Sequence, residues 1–217
     1  MKKKVILLTV LAVVLLGGGT ASAFYYYDIS KYIKTDDAKV QGDLRSIGSL
    51  AAGTLIEWNY RQGDSFKKGS VLGIVETSPA HGNVAATTSD IVAPDDGTVI
   101  ETSAVKDQTV APGAPLALSA DLNELYVTAN LKETELTDIH IGSHVAITID
   151  AFPGTPFEGK IVQIGLGTNS TFSLLPTGNA SGNYTKVVQK VPVKIALDNY
   201  LGKRLIPGLN ATVKIDR

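Results

Sequence analysis

The sequence predicts a mainly β protein: a β-sandwich built from two matching halves, then a small antiparallel β-barrel, with one membrane helix at the N-terminus. Three observations carry that reading. Between Gly53 and Leu116 the chain matches itself at an offset of 44 residues. From Asn123 onward, short alternating strands recur to the C-terminus. At the other end, an uncharged run of 23 residues, Val5 to Tyr27, follows three lysines.

In that N-terminal run, Lys2, Lys3 and Lys4 precede Val5 to Leu16, which is apolar apart from Thr9. Basic residues followed by hydrocarbon form an export signal. At about 1.5 Å of rise per residue the whole run can span a bilayer. Phe24 to Tyr27 place four aromatic rings where a membrane interface satisfies both ring body and polar tip. Ala21-Ser22-Ala23 is a small-residue cleavage pattern, and Gly17 to Gly19 weaken a helix. Residues 1–27 therefore read as a signal anchor or a signal peptide, with the aromatic cluster favouring the anchor. In both readings the lysines stay inside, so residues 28–217 are expected on the extracytoplasmic face of the cell membrane, held by a single pass if the anchor is retained.

Composition excludes several functions. Twenty basic residues against 21 acidic ones give a net charge of −1, and losing the three N-terminal lysines takes the exported part to −4. No clustered cationic face is available for a nucleic-acid backbone. The absence of cysteine removes disulfides, thiolate metal sites, a cysteine nucleophile and the lipid-modified cysteine of a lipoprotein.

The repeat is the most informative feature. Gly53-Thr54-Leu55-Ile56 aligns with Gly97-Thr98-Val99-Ile100, and sixteen residues after each leading glycine comes another, Gly69 and Gly113. Phe66 and Val110 lie three residues before that second glycine, and Leu72 and Leu116 three after it. Each half reads as strand, polar turn and strand, with Gly and Pro as punctuation. A half of about 30 residues buries too little apolar surface to offset its conformational entropy, so the two halves must pack on each other. Gly53 to Leu72 and Gly97 to Leu116 resemble the half-motifs of a biotinyl/lipoyl domain, which implies a split biotinyl/lipoyl-like β-sandwich.

Carrier domains of that kind need a lysine at the tip between the halves, to be acylated by the cofactor. The connection here, Glu76 to Ile91, contains no lysine, so the swinging-arm role is excluded and no cofactor is implied. From Ile33 onward the chain instead resembles the membrane fusion proteins, or periplasmic adaptors, of the HlyD/EmrA type. The resemblance rests on Thr35-Asp36-Asp37-Ala38-Lys39-Val40, the split half-motifs and Leu125 to Leu136. It continues through Phe172 to Pro176, Asn179 to Tyr184, Lys186 to Val193 and Ile206-Pro207-Gly208-Leu209. The stretch from Asn179 to Val193 is similar to the EmrA branch. That resemblance implies a non-catalytic adaptor that joins an inner-membrane drug/proton antiporter of the major facilitator class, self-associates and passes on hydrophobic drug-like compounds. It also implies that Thr35 to Val40 joins the C-terminal barrel. The expected organisation is then 28–43 as linker and first barrel strand, 44–119 as the lipoyl-like domain with its tip at 76–91, and 120–217 as the β-barrel. Family members that reach an outer-membrane channel carry a long helical hairpin between the halves. The short connection here has no heptads and can form a tip but not a tube, which argues against direct contact with such a channel.

Barrel strands are expected at Tyr126 to Asn130, His144 to Ile149, Gly159 to Ile164, Lys186 to Leu197 and Ala211 to Ile215, with one helical turn at Glu133 to Asp138. The span Leu166 to Asn183 is long for a connection in a small domain, and its Phe172, Leu174 and Leu175 are costly to leave in water. These three are candidate contacts for a transporter, a neighbouring protomer or a hydrophobic substrate, unless they fold back onto the barrel mouth.

Other chemistry is weak. His140 and His144, with Glu135 and Asp138 nearby, would offer two imidazoles to a metal at helical spacing, but Gly142 between them favours a helix-to-strand corner. Gly165 to Ser170 lacks a following helix to hold a phosphate, and no serine sits in a strand-turn-helix elbow. Asp36 and Asp37 are adjacent, so their side chains diverge on a strand. No catalytic, cofactor or metal site is predicted. A stand-alone membrane-anchored envelope binding protein is the other reading the sequence allows.

Overall fold

The structure, a computed structural model, describes residues 31–77, 86–171 and 188–217, together with Gly17. Among the described residues, no helix is long and apolar enough to cross a membrane. The run Val5 to Tyr27, read above as an anchor or signal peptide, lies outside them. Two compact units emerge: one comprises the chain up to Val40 with Val127–Arg204 and Gly208–Arg217, the other Gln41–Tyr126 with Leu205–Pro207.

Strand β1 (Tyr32–Gln41) belongs to the first unit. The second unit contains β2 (Arg45–Gly48), β3 (Gly53–Trp58), β4 (Ser65–Phe66), β5 (Val71–Thr77), β6 (Thr87–Val92), β7 (Gly97–Thr102), β8 (Thr109–Val110) and β9 (Pro115–Ala120). They form two four-stranded sheets, in the orders β2-β9-β7-β4 and β6-β5-β3-β8. The 44-residue offset carries each strand of one sheet onto the strand in the same place in the other: β3 onto β7, β4 onto β8, and β5 onto β9. It also carries β2 onto the end of β6, so the repeat begins one strand earlier than Gly53. The short strands are exchanged between halves, β4 pairing with β7 and β8 with β3.

Hydrogen bonds repeat at the same offset. The Leu55 N–H donates to Gln108 O at 2.9 Å, and the Val99 N–H to Asp64 O at 2.9 Å. The Asp107 N–H donates to Leu55 O and the Gly63 N–H to Val99 O, both at 2.8 Å. Bulges follow suit, between Leu55 and Glu57 and between Val99 and Glu101. The core is made of matched pairs, Ile47 with Ile91, Leu55 with Val99, Phe66 with Val110 and Leu72 with Leu116, all buried. Each buried apolar side chain of this size contributes about 1.5–3 kcal/mol, and these contacts exist only when both halves are present.

The barrel unit adds β10 (Tyr126–Lys132), a 3₁₀ turn at Glu133–Asp138, β11 (His144–Ile149), β12 (Pro156–Ile164), β13 (Lys190–Leu197) and β14 (Asn210–Asp216). With β1 they close in the order β1-β10-β13-β12-β11-β14. Inward positions alternate along each strand: Val127, Ala129 and Leu131 on β10; Val145, Ile147 and Ile149 on β11; Val213 and Ile215 on β14, all at 1% exposure or less. Such a period-two pattern with branched side chains fills a small barrel. Strand β12 begins three residues before the expected Gly159, because Pro156 needs no ladder donor at a strand's first position. Strand β13 begins at Lys190, so Val188 and Gln189 of the expected strand precede it, and residues 186–187 lie outside the described part. Strand β1 carries a bulge. Thr35 pairs with Val213 and Ala38 with Ala211, leaving one extra residue at Asp36–Asp37.

Two substitutions test the sandwich. A Cβ on Gly53 would overlap the Glu76 carbonyl oxygen of β5, so Gly53→Ala is expected to cost about 1–3 kcal/mol. Asp107 holds φ +68° where its repeat partner Gly63 holds +93°. Asp107→Gly is therefore expected to gain up to about 1 kcal/mol. Urea unfolding midpoints at constant m-value check both.

Candidate functional site

Antiparallel pairing collects the beginnings of β1, β11 and β13 and the ends of β12 and β14 at one rim of the barrel. The end of β10 joins them, as the Glu133 N–H donates to Gln189 O at 2.9 Å. From this rim springs the segment that bears Phe172, Leu174 and Leu175. Those three residues lie outside the described part of the structure, but both roots of the segment are described.

The roots are tied closely. After β12, the Gly165 N–H donates to Pro192 O at 2.8 Å, and a Cβ at Gly165 would press on that oxygen and on the proline ring. Only glycine passes there without displacing β13. The Asn169 N–H then donates to Lys190 O at 2.8 Å, and Ser170 Oγ meets Gln189 Oε1 at 2.5 Å, joining outgoing and returning strands. Thr168 Oγ1 lies 2.8 Å from Ser170 Oγ and 3.1 Å from Thr171 Oγ1.

Beneath the roots sits a polar clasp. The β1 bulge presents Asp37, whose carboxylate accepts from Lys190 Nζ at 2.6 Å and from Asn130 Nδ2 at 3.0 Å. Asn130 Oδ1 in turn accepts from Asn169 Nδ2 at 2.9 Å. Thr35 Oγ1 accepts from the Asp37 N–H at 3.1 Å, holding the bulge in shape. The Lys190 hydrogen bond, against an opposing effect of burial and with help from Asn130, holds the Asp37 carboxyl below the usual aspartate range. The same bond raises Lys190. The clasp stays ionised at neutral pH and anchors the segment's roots to three strands. Its chemistry is positional, since carboxylate and ammonium already satisfy each other.

Around this rim the barrel exposes apolar side chains. Ile141 before β11, Val162 and Leu166 at the end of β12 and Val188 before β13 are 45% to 105% exposed, with Leu166 the extreme. In this unit, among the described residues, Leu201 is the other large apolar side chain so exposed. It lies beyond the end of β13, at the opposite rim.

The histidines do not share a helix face. The 3₁₀ turn stops at Asp138, His140 to Ser143 form a turn with Gly142 at φ +94°, and His144 opens β11. His144 lies 3.7 Å from Glu158 and 3.9 Å from Asp216, close to half exposed. Among the described residues, no three His, Asp or Glu side chains form a group able to hold a metal.

At the sandwich crest, Thr77 pairs with Thr87 and Glu76 with Thr88. The strands therefore run into the segment expected as tip, and residues 78–86 connect them. Sequence reasoning missed Asn130, Asn169 and Lys190, and it treated Asp37 as a diverging neighbour of Asp36. A signal existed in the spacing of Ile33, Ala38 and Val40, which breaks the two-residue period of a strand at the bulge.

Two family descriptions match the chain: a YhbJ barrel-sandwich hybrid domain over residues 43–121 and an AAEA-like β-barrel domain over 124–216. A putative efflux system component, YhbJ of Bacillus subtilis, is 42% identical over 186 residues, covering 86% of this chain and 80% of the relative. The colistin resistance protein EmrA of Acinetobacter baumannii is 36% identical over 153 residues, which is 69% of this chain but 43% of that protein. Against the EmrA relative, therefore, the chain spans less than half the length. Among solved structures, the periplasmic adaptor protein EmrA superposes with a TM-score of 0.55 at 14% identity, covering 86% of this chain and 99% of that one, a likeness of fold.

The clasp has a pH signature. An aspartate held below its unfolded value stabilises the fold above that value and loses the contribution as pH falls through the folded one. Asp37→Asn is thus expected to lower the thermal midpoint at pH 7 and to converge on the wild type as the pH falls through the lowered pKa of Asp37. Melting curves recorded from neutral to acid pH check this, and a gap persisting at the acid end would assign the effect to packing.

Proposed function

This chain belongs to the membrane fusion proteins of the EmrA and YhbJ type, and from that premise we propose that it is the non-catalytic adaptor subunit of a multidrug efflux system. Its partner in this reading is an inner-membrane drug/proton antiporter of the major facilitator class. The observation that carries the proposal is the pairing of both domains in one chain that resembles the Bacillus efflux component over 86% of this chain and 80% of that protein.

Physical features support the reading. The crest offers no lysine for acylation, and the clasp groups satisfy one another, so the proposed work is geometric. Residues 1–27 are taken as the anchor, which makes the protein single-pass with residues 28–217 extracytoplasmic. Strand β1 begins within a few residues of that anchor, at the rim that exposes Ile141, Leu166 and Val188. Apolar side chains at a rim beside a membrane favour contact with a membrane-embedded partner. The segment rooted there, with Phe172, Leu174 and Leu175, extends the same contact. Self-association of the chain would frame a passage for hydrophobic drug-like compounds. The short crest connection does not supply the hairpin that reaches an outer-membrane channel.

Affinity purification of the tagged full chain should bring down a many-span membrane transporter, and deleting the gene should lower resistance to that transporter's drugs. A purification that brings down no transporter, together with unchanged resistance on deletion, would overturn the adaptor reading. Replacing Phe172 and Leu175 together by Ser is expected to abolish resistance with the melting curve unchanged. Unaltered drug susceptibility would remove those residues from the contact.

A further inference from the structure

The repeat supplies an internal control for what the sandwich fold requires. Where β4 pairs with the start of β7, a cleft of about 330 Å³ opens, within the range of small-molecule sites, ~300–1,000 Å³. Buried Thr98 lies in its lining, with its hydroxyl 3.0 Å from Ser65 Oγ. The Tyr60 ring stands perpendicular to that of Phe66, with centroids 5.9 Å apart, and lines the cleft with Lys67, Ser70, Asp96 and Asp121. All of these residues belong to one unit, and the chain on either side of each is described.

The matching half of the sandwich has the same backbone and none of these groups. A step of 44 residues puts Ala104 in the place of Tyr60, Ala111 of Lys67, Ala114 of Ser70, Ala52 of Asp96 and Thr77 of Asp121. The turns agree bond for bond. The Ser70 N–H donates to Lys67 O at 3.0 Å and the Ala114 N–H to Ala111 O at 3.1 Å. The Gly69 N–H donates to Ala93 O at 2.9 Å and the Gly113 N–H to Ser49 O at 2.8 Å. Turns and strands of this shape therefore form with small, uncharged side chains, and the phenol, ammonium, hydroxyl and two carboxylates gathered at one cleft are not demanded by the fold.

The charges of the cleft are already arranged. Asp96 accepts from Lys67 Nζ on one oxygen and from the Lys68 N–H on the other, both at 2.8 Å. Asp121 Oδ1 accepts from the Asn123 N–H at 2.8 Å and from its Nδ2 at 3.1 Å. A carboxylate has about four lone-pair sites, so both groups keep capacity to accept further bonds. A charged ligand would have to break the Lys67–Asp96 pair, whereas a hydroxyl can donate to Asp96 or accept from Lys67 with the pair intact.

We infer that this cleft binds an uncharged pyranose, with one face of the sugar ring against Tyr60 and its hydroxyls on Asp96, Lys67 and Asp121. The C–H groups of a sugar face carry weak positive charge, which suits the negative face of an aromatic ring. Hydroxyls bonded to ionised groups form the stronger, charge-assisted kind of hydrogen bond. A neighbouring hollow of about 320 Å³ shares Asp96 and Asp121 with the cleft, which leaves room for a second, linked sugar. The inference goes beyond the adaptor role and does not depend on it, because binding is measured on this chain without any transporter.

The test uses the full chain in phosphatidylcholine nanodiscs and saturation-transfer NMR. The probes are the methyl glycosides of glucose, galactose, mannose and N-acetylglucosamine. At least one is expected to show saturable transfer, strongest to the protons of one ring face, and spermidine should not displace it. Tyr60→Ala and Lys67→Ala each supply what the matching half already carries, and each should raise the Kd about tenfold or more. Should Tyr60→Ala fail to fold, Lys67→Ala still reads the cleft, since that side chain is 84% exposed. Transfer to none of the four glycosides, a Kd unchanged in either folded variant, or displacement by spermidine would overturn the inference. A tetrasaccharide of the sugar that binds separates two sources. Binding tighter than that of the single sugar assigns the cleft to a glycan chain, and equal or weaker binding assigns it to a free sugar.

Discussion

Each half of the sandwich lends its shortest strand to the other half's sheet. Ser65–Phe66 completes the ladder of β7, and Thr109–Val110 completes that of β3. The backbone groups of the long strands on that side are satisfied only by the opposite half, and an unpaired buried donor or acceptor costs about 1–3 kcal/mol. Folding of this unit is therefore a joint event, because half a core and half a ladder do not persist. The matched hydrogen bonds from Leu55 and Val99, at equal length on both sides, express that reciprocity.

The barrel solves a related problem by closure. Six strands in a ring leave no edge to recruit a stray chain, and alternating buried aliphatic residues occupy the interior. With the wall settled, the rim is free to carry function. There the β1 bulge breaks the alternation and turns Asp37 towards Lys190 and Asn130, spending a small irregularity to hold the roots of a long segment. Exposed Ile141, Leu166 and Val188 surround those roots, so the ordered clasp and the apolar surface serve one end of the barrel.

Legibility varied by element in a way physics explains. The halves were visible because a glycine at a close approach, such as Gly53 against Glu76, leaves a residue type that local sequence cannot disguise. Strand β11 was placed at His144 to Ile149, since inward and outward residues alternate there without interruption. The first strand of each half was hidden because Ile47 and Ile91 match as single apolar residues amid unrelated neighbours. The clasp was hidden for a different reason. Asp37 and Lys190 lie 153 positions apart, and each alone resembles an ordinary surface charge.

By itself the sequence determined the patterns along the chain: a strand-turn-strand unit that recurs after 44 residues, two-residue alternation in the barrel and an uncharged N-terminal run, the first two of which backbone geometry translates directly into strands and turns. Only the tertiary structure decided which strand of one half pairs with which of the other, and which charges meet at the rim. Those outcomes depend on the register of strands far apart in sequence. A shift of one residue would turn every side chain on a strand to the other face, and no local pattern encodes the partner against which the register is set.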